Sequence, residues 1–436
     1  MEADDSRGME IAVRQGHAQY ARGRTRSSHM VSFMKKARVL IVDDAALIRR
    51  IVTDALAADP SIEVVGEAGN GRIALQKIAQ VNPDLVTLDI EMPEMNGLET
   101  LKEIRKTYPR LPVIMFSALT ERGAADTLEA LHNGASDYVT KPASAGGKAL
   151  AQQRIREDLI PKIKSLCRIG EPPAVRAPQR ETVAPPPARP VALARPSDFQ
   201  THIDIVAIGL STGGPNALAE IVSKLPADFP APIVLVQHMP QVFTRLLAER
   251  LNAQTALTVI EAEDGQVVKP GLVFVAPGDF HLTVRRQGSH IVTGLDQEPP
   301  ENAHRPAADA LFRSVAGLYG PQALALVLTG MGEDGLLGSE AVRRAGGRVL
   351  VQDEATSVVW EMAGRVARAG LADAVLPIGD VAAELVRRTT RKRPGELGAQ
   401  QPPAGKATPT GRAFDDARDS SAPAGHAAGD VRVGKR

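Results

Sequence analysis

The sequence predicts an α/β protein made of two doubly wound parallel-sheet domains joined by a proline-rich linker. Short apolar runs alternate with amphipathic stretches over residues 38–165 and again over residues 201–391, which is the pattern of repeated β–α units. Polar residues or glycines follow these runs, at the strand ends where doubly wound sheets bind ligands. Between the two regions, eight prolines fall within residues 171–200, whereas proline makes up only about 5% of an average protein.

The composition is that of ordinary globular domains. The chain has 436 residues, of which 43% are hydrophobic and 24% charged, and its formal net charge is +1. Charge therefore gives no reason to expect a nucleic acid or an acidic membrane surface as a partner. The single cysteine, Cys167, cannot form an intramolecular disulfide or a zinc site. Because no apolar run approaches the roughly 18 residues that span a bilayer, we expect a cytoplasmic protein without direct membrane insertion.

The changes in composition also predict the domain boundaries. Residues 1–36 show no periodicity and are predicted to be a disordered extension, unless translation starts at Met30 or Met34. The first domain is expected over residues 37–166, an extended linker over 167–200 and the second domain over 201–391. The remaining residues, 392–436, are rich in proline, glycine and alanine and are predicted to be a disordered tail.

The first domain is predicted to contain five β–α units. Its strands are expected at RVLIVD, IEVVGEA, DLVTLDI, PVIMFSA and DYVT. Asp43 and Asp44 end the first run, and Asp89 ends the third. Grouped carboxylates repel one another unless a cation lies among them. These aspartates therefore predict a Mg²⁺ site. Lys141 follows the fifth run and could neutralise the charge of a phosphoryl group on one of these carboxylates. Ser117 follows the fourth run and could donate a hydrogen bond to the same phosphoryl group.

In this order these residues resemble the receiver domain of two-component response regulators. The resemblance implies a flavodoxin-like fold in which Asp89 accepts a phosphoryl group from a histidine kinase. The other implied roles are Mg²⁺ binding by Asp43, Asp44 and Asp89, phosphoryl contacts by Ser117 and Lys141, and an aromatic switch, whose burial changes on activation, at Tyr138.

The second domain is organised around IVAIGLSTGG, residues 205–214. An apolar run ends in a glycine-rich turn with Ser211 at its crest, and a helical stretch follows. This geometry suits a nucleophile beside free helix N–H groups, a phosphate-binding loop, or simply a close turn. The phosphate interpretation is weakened because the turn lacks the lysine of a P-loop and the GxGxxG spacing.

Four further apolar runs predict the rest of the second sheet, at PIVLVQHMP, LVFVAPGDFHL, ALALVLTGMGEDG and GRVLVQDEA. HLTVRRQGSHIVTG is predicted to be an inserted β-hairpin, because two alternating runs flank a Gly-Ser turn.

A nucleophilic serine needs a base and usually a carboxylate that orients the base. His238 directly follows a predicted strand and so shares an edge of the sheet with Ser211, while His281 and His304 remain alternative bases. Asp334 follows another central strand and is the best candidate for the carboxylate. The weaker candidates are Asp264, Asp279 and Asp309.

The second domain, behind a receiver, resembles the chemotaxis response-regulator protein-glutamate methylesterases (the CheB family). The resemblance implies that Ser211 is the nucleophile, His238 the base, Asp334 its orienting carboxylate and the Met331 backbone an oxyanion donor. Thr212 is expected to hydrogen-bond near the histidine. The resemblance rests on the strings GLSTGGP, VQHMP, EAEDGQVV, VAPGDFH, HRPAADALF, LTGMGEDG and QDEATSVVWEMAG.

The implied activity is hydrolysis of glutamate γ-methyl esters on the cytoplasmic helices of chemoreceptors, with deamidation of glutamines by the same acyl chemistry. The implied partners are these receptors and a chemotaxis histidine kinase. Mg²⁺ is expected in the receiver, and no cofactor is expected for the esterase reaction. The alternatives are a phosphorelay transcription factor, which would need a small helical DNA-binding domain, and a non-catalytic binding module.

Overall fold

A five-stranded parallel sheet forms the centre of the N-terminal domain. The computed structural model describes residues 36–141, 147–169 and 202–390. The strands of this sheet are β1 (Ala37–Val42), β2 (Ile62–Ala68), β3 (Leu85–Asp89), β4 (Val113–Ser117) and β5 (Asp137–Thr140). They lie in the order β2-β1-β3-β4-β5, with every neighbouring pair parallel. The predicted doubly wound fold is confirmed.

Five helices within the described residues cover the two faces of this sheet. They are α1 (Ala46–Leu56), α2 (Gly71–Val81), α3 (Gly97–Thr107), α4 (Glu121–His132) and α5 (Gly147–Leu166). Side-chain caps fix several of their first turns: Asn96 and Glu99 form a reciprocal capping box at the start of α3, and Thr120 Oγ1 accepts the Gly123 N–H at 3.1 Å at the start of α4. Such caps satisfy N–H groups that have no partner within the helix.

A seven-stranded parallel sheet forms the centre of the C-terminal domain. Its strands are β6 (Ile205–Leu210), β7 (Ile233–Gln237), β8 (Thr258–Glu261), β9 (Leu272–Val275), β12 (Ala323–Val327), β13 (Arg348–Gln352) and β14 (Ala374–Leu376), and β10 (His281–Gln287) and β11 (His290–Asp296) form a separate hairpin. The order in the main sheet is β14-β13-β12-β6-β7-β9-β8. The predicted second parallel sheet and the inserted hairpin are both confirmed.

Over residues 202–390, six α-helices surround the second sheet, namely α6 (Gly214–Val222), α7 (Gln241–Asn252), α8 (Ala308–Tyr319), α9 (Leu336–Arg344), α10 (Met362–Arg368) and α11 (Ile378–Thr389). The central strands are buried on both faces: every residue of β6, β7 and β12 is buried. Strands covered by helices on both sides need apolar side chains at consecutive positions, which is why these runs were recognisable in the sequence.

The chain order reverses at one place in each sheet. In the N-terminal domain β1 lies between β2 and β3, and in the C-terminal domain β6 lies between β12 and β7. At such a reversal the loops after the strands leave toward opposite faces and open a crevice at the carboxyl ends. Asp43, Asp44 and Asp89 lie at the first reversal, and Ser211 and Asp334 lie at the second.

Two strands of the second sheet were not expected from the sequence. β8 and β14 occupy the two edges of the sheet and are partly exposed, so they lack the continuous apolar run of a central strand. The predicted disordered extension over residues 1–36 and the predicted tail over 392–436 lie outside the described residues, apart from Lys36. So does the predicted linker, apart from residues 167–169. Among the described helices, none combines the length and the apolar character needed to cross a membrane.

Candidate active site

The turn between β6 and α6 holds Ser211 by its backbone. The Ser211 N–H donates to Thr329 O at 3.0 Å, and the Ser211 carbonyl accepts the Gly214 N–H at 2.8 Å. Gly213 has a φ of +80°, and a Cβ atom there would lie 2.6 Å from a methyl group of Val358. A side chain at residue 213 is therefore excluded by both conformation and space.

Gln237 and Gly330 contact Ser211 from two sides. Gln237, at the end of β7, donates from Nε2 to the Ser211 carbonyl at 3.0 Å. A Cβ atom at Gly330 would lie 2.9 Å from Ser211 Cβ and 2.3 Å from Met362 Sδ. The serine therefore lies between the ends of β7 and β12. Its position depends on a glycine at residue 330, because any side chain there would overlap with it.

His238 and Asp334 form a buried pair beside this turn. His238 Nε2 lies 2.8 Å from Asp334 Oδ2, and the N–H groups of Ala308 and Asp309 donate to the same carboxylate at 2.6 and 3.0 Å. Burial alone would raise the pKa of Asp334, but the hydrogen bonds from His238 and from these two N–H groups lower it to about 2. Asp334 is therefore a carboxylate at neutral pH, suited to orient an imidazole.

The two alternative histidines have other surroundings. His281 Nδ1 accepts the Ala307 N–H at 3.2 Å and its Nε2 lies 3.2 Å from Pro299 O, so both ring nitrogens are engaged by backbone groups. His304 stacks on His238 with ring centroids 3.9 Å apart and an interplanar angle of 13°. Of these three histidines, His238 is the one that the structure pairs with a carboxylate.

The weaker acid candidates are held by other partners. Asp264 pairs with Arg285 at 2.7 Å, Asp279 with Arg305 at 2.6 Å, and Asp309 accepts the Gly338 N–H at 2.6 Å. Within the described residues none of these three bonds to His238, so Asp334 is the carboxylate that the geometry favours.

Ser211 and His238 line the same cavity, which has a volume of about 790 Å³ and also touches Met331. Within the described part of the chain, no hydrogen bond joins the Ser211 hydroxyl to His238, and His238 Nδ1 is buried without a hydrogen-bond partner. The Met331 N–H likewise makes no hydrogen bond to a described residue. The site therefore offers a hydroxyl, a free imidazole nitrogen and a free N–H donor around one space, which is the set that acyl transfer uses.

Residues of the N-terminal domain close this cavity on one side. Thr212, expected near the histidine, instead donates from its hydroxyl to Asp137 Oδ2 in β5 at 2.5 Å. Lys162 of α5 lies 3.0 Å from the same Asp137 oxygen and donates to the Tyr138 carbonyl at 2.6 Å. The residue next to the candidate nucleophile is thus bonded to a buried carboxylate of the other domain.

Two further contacts join the domains around the site. The ring of Tyr138 stacks on Phe243 of α7, with centroids 4.6 Å apart, and burial raises the pKa of its phenol well above the usual range. Ser165 of α5 donates to Glu361 at 2.6 Å, and the other oxygen of Glu361 accepts the Gly332 N–H at 2.9 Å. The N-terminal domain therefore contacts both the turn of the serine and the loop after β12.

A second cluster of charged groups lies at the carboxyl edge of the N-terminal sheet. Ligand oxygens of Asp43, Asp44 and Asp89 lie within 4.8 Å of one another. Lys141 Nζ lies 2.7 Å from Asp89 Oδ1 and 3.2 Å from Asp43 Oδ2. Burial, supported by the charge of Asp43, raises the pKa of Asp89 to about 6 against the opposing effect of Lys141.

This cluster suits a divalent cation. Asp43 Oδ2 and Asp89 Oδ2 are both buried without a hydrogen bond, and buried carboxylate oxygens need a partner. An all-oxygen set is the ligand type that Mg²⁺ prefers. Ser117 lies at the same edge, where its hydroxyl donates to the Gly123 carbonyl at 3.0 Å rather than to a carboxylate.

The sequence did not reveal the roles of Asp137 and Asn302, or the stacking of His304. Asn302 donates to Asp334 Oδ1 at 3.2 Å and to Asp309 Oδ2 at 2.9 Å. Asp137 lies in a short strand of the first domain, and its bond to Thr212 depends on how two distant segments meet. Glu333, next to Asp334 in the sequence, is exposed and pairs with Arg365 at 3.4 Å. The signal in the sequence was the residue type of Asn302, because asparagine adopts the left-handed conformation of tight turns more readily than most residues.

Comparison with known proteins identifies both domains. The CheB methylesterase family model matches residues 206–385 and the response regulator receiver domain model matches residues 39–149. The protein-glutamate methylesterase/protein-glutamine glutaminase of Trichodesmium erythraeum (strain IMS101) is 52% identical over 362 residues, covering 81% of this chain and 99% of that protein. The protein of the same name from Nocardioides sp. (strain ATCC BAA-499 / JS614) is 51% identical over 370 residues, covering 83% and 98%. The crystal structure of the Thermotoga maritima CheB methylesterase catalytic domain is 46% identical, covers 43% of this chain and 99% of that one, and gives a TM-score of 0.42.

Proposed function

The chain belongs to the family of protein-glutamate methylesterases/protein-glutamine glutaminases that carry a receiver domain, and from this premise we propose that it demethylates glutamate γ-methyl esters on the cytoplasmic helices of chemoreceptors. Deamidation of receptor glutamines follows the same chemistry with ammonia as the leaving group. The observation that carries the proposal is the buried His238–Asp334 pair, 2.8 Å apart, on the cavity that also contains Ser211. The protein would act in the cytoplasm, where these helices lie.

In the acylation step, Ser211 Oγ attacks the ester carbonyl and its proton passes to His238 Nδ1, the nitrogen that Asp334 leaves free. Asp334 keeps its negative charge and orients the imidazole through Nε2. The negative charge that develops on the carbonyl oxygen is stabilised by the free Met331 N–H, a contribution worth about 10²–10³-fold for one such donor. His238 then gives the proton to the methoxide oxygen, and methanol leaves.

In the deacylation step, water attacks the acyl-serine and gives one proton to His238. The bond to Ser211 Oγ breaks, His238 returns that proton to the serine, and the glutamic acid formed on the receptor releases the second proton of the water to solvent and becomes a carboxylate. A positioned base contributes typically about 10²–10⁴-fold to each step. The turn that holds Ser211 by both its N–H and its carbonyl keeps the nucleophile in place through both steps.

The receiver would be phosphorylated on Asp89 by a chemotaxis histidine kinase. Asp43, Asp44 and Asp89 would hold a Mg²⁺ ion, which, when bound, neutralises charge on the incoming phosphoryl group. Lys141, 2.7 Å from Asp89, contributes a further positive charge. Ser117 would hydrogen-bond the phosphoryl group after its hydroxyl leaves the Gly123 carbonyl, and Tyr138 would change its burial on activation.

We propose that the unphosphorylated receiver inhibits the esterase by covering its site. Asp137, Tyr138 and Lys162 lie over the cavity that contains Ser211 and His238. In this arrangement β5 and α5 occupy part of the space through which a receptor helix would approach Ser211. Phosphorylation of Asp89 would favour a state in which these contacts are released.

The test measures methanol release by the full-length chain from a methylated receptor fragment, with and without a small-molecule phosphodonor and Mg²⁺. Release should be lost in Ser211→Ala and retained in the matched control Ser223→Ala, a serine exposed at the end of α6. The rise caused by the phosphodonor should be lost in Asp89→Ala. Undiminished release by Ser211→Ala would reject the proposed nucleophile, and ammonia release from a glutamine-bearing fragment tests deamidation in the same way.

A further inference from the structure

A tight turn at Asn302 and Ala303 lies directly against the candidate base and carboxylate. The backbone groups of Glu301 and His304 bond to each other in both directions, at 3.0 and 2.8 Å, and Asn302 and Ala303 have φ values of +51° and +65°. Two consecutive left-handed residues closed by such a pair form a type I′ turn. Its geometry sends the side chains of Asn302 and His304 toward the same site.

The His304 ring lies face to face with His238, with centroids 3.9 Å apart and an interplanar angle of 13°. Within the described residues its nitrogens have no hydrogen-bond partner. Burial, followed by the charge of His238, lowers the pKa of His304 to about 4, so the ring is neutral under physiological conditions. A neutral ring in this place offers a flat face to His238 and leaves the edge of that imidazole free.

Asn302 contacts the other member of the pair. Its Nδ2 donates to Asp334 Oδ1 at 3.2 Å and to Asp309 Oδ2 at 2.9 Å. The oxygen of Asp334 that faces His238 is the other one, Oδ2. One short turn therefore fixes the plane of the imidazole through His304 and the orientation of the carboxylate through Asn302.

The backbone of this turn is itself unusual. Ala303 has a φ of +65°, a region that residues with a Cβ atom occupy rarely and at a cost. Such conformations persist where the surroundings fix them, and they cluster at functional sites. The alanine is held there by the two backbone hydrogen bonds between Glu301 and His304.

We propose that His304 and Asn302 are positioning residues for the reaction, with His304 acting through the flat face of its ring and not through its nitrogens. This inference rests on the proposed roles of His238 and Asp334. When His238 takes the proton of Ser211 it becomes a cation, and a neutral aromatic face against a cation is favourable. The stack also prevents the imidazole from turning out of the plane in which Nδ1 meets the serine.

The first test compares His304→Phe with His304→Leu in the full-length, phosphodonor-activated protein. Phenylalanine keeps a flat neutral ring without nitrogens, whereas leucine has a side chain of similar size that cannot stack. We expect His304→Phe to retain kcat within a few-fold and His304→Leu to lose roughly 10–100-fold in kcat, as a misplaced group does, with KM little changed. The thermal unfolding temperature of each variant reports whether it folds.

The second test uses the turn. Asn302→Gly keeps the left-handed conformation but removes the amide that reaches Asp334. The matched control is Asn82→Gly, the same change at a left-handed residue (φ +45°) that ends α2 in the other domain. We expect Asn302→Gly to lower kcat by roughly 3–10-fold, the effect of one hydrogen bond, and Asn82→Gly to leave it unchanged. This comparison also serves if His304→Leu does not fold.

The outcomes separate this inference from the proposed function. If Ser211→Ala retains methanol release, the proposed function fails and the inference with it. If Ser211→Ala is inactive while His304→Leu is as active as His304→Phe, the positioning role of His304 is refuted and the esterase function stands. Equal loss in His304→Phe and His304→Leu would assign the role to the ring nitrogens and overturn the inference.

Discussion

Replacing Asp137 by alanine should activate the esterase without phosphorylation. In the structure Asp137 Oδ2 accepts the Thr212 hydroxyl at 2.5 Å and lies 3.0 Å from Lys162 Nζ, and the carboxylate is buried. Without this carboxylate, the covered state, in which the receiver lies over the esterase site, leaves the Thr212 hydroxyl without its acceptor. Lys162 keeps the Tyr138 carbonyl as its acceptor. In the open state Thr212 would bond to water, so the substitution disfavours the covered state more than the open one.

The size of this effect follows from the charge of the acceptor. A hydrogen bond to a charged group contributes about 1.5–3 kcal/mol to the state that contains it. Since 1.36 kcal/mol corresponds to a tenfold change in an equilibrium constant, the balance between covered and open states should shift by about 10- to 150-fold. The rate without phosphodonor should rise by up to this factor and level off at the phosphorylated rate of the wild type.

The assay is methanol release with and without phosphodonor, measured for the wild type, Asp137→Ala and Glu63→Ala. Glu63 is the matched control because it is an exposed acid on β2, at the opposite edge of the receiver sheet from β5, and its removal should change neither rate. Transfer of the phosphoryl group to Asp89 shows that each variant receiver is folded. If that transfer is normal and the unstimulated rate of Asp137→Ala stays at the wild-type level, Asp137 does not hold the covered state.

Three further predictions follow from the site. Gly330→Ala should lower kcat by about 100-fold or more, because the new Cβ atom would lie 2.9 Å from Ser211 Cβ and 2.3 Å from Met362 Sδ. Methanol release measures kcat, and an unchanged value would contradict the packing argument. Asp43→Asn, or chelation of Mg²⁺ with EDTA, should abolish the rise in rate caused by the phosphodonor, and a persisting rise would remove Asp43 from the metal site. Urea unfolding from pH 7 to 2 should show that Asp334 contributes about 2 kcal/mol above pH 4 that is lost toward pH 2, because its folded pKa of about 2 lies below the unfolded 3.8. Asp334→Asn should lack this dependence, and the same slope in both proteins would show that other groups cause it.

The fold was predictable because the central strands carry their own signal. β6, β7 and β12 are covered on both faces, so buried positions follow one another without interruption and the strands appear as apolar runs. The edge strands lack this signal: β14 has three residues, and Val375 at its centre is 49% exposed. Their place in the sheet is fixed by pairing with β13 and β9, which is tertiary information.

The candidate site was predictable for a related reason. Ser211, His238 and Asp334 each follow a central strand, and the carboxyl ends of parallel strands meet at one edge of the sheet. Strand order alone therefore brought these side chains together, although 96 residues separate His238 from Asp334. The same argument brought Asp43, Asp44 and Asp89 together in the first domain.

The remaining contacts depend on surfaces that no local pattern describes. Asp137 precedes Tyr138 in a short strand, and nothing in DYVT distinguishes a carboxylate that bonds to another domain from one that only ends a turn. The bond to Thr212 forms because α4 and β5 of one domain pack on α6 and α7 of the other, with Tyr138 against Phe243. Residues at a strand end are therefore recognisable from single elements, whereas the contact of Asp137 with Thr212, through which we propose that the esterase is controlled, depends on the fit between two domains. A substitution at Asp137 should for this reason change when the esterase acts without changing how it acts, which separates it from every substitution at Ser211, His238 or Asp334.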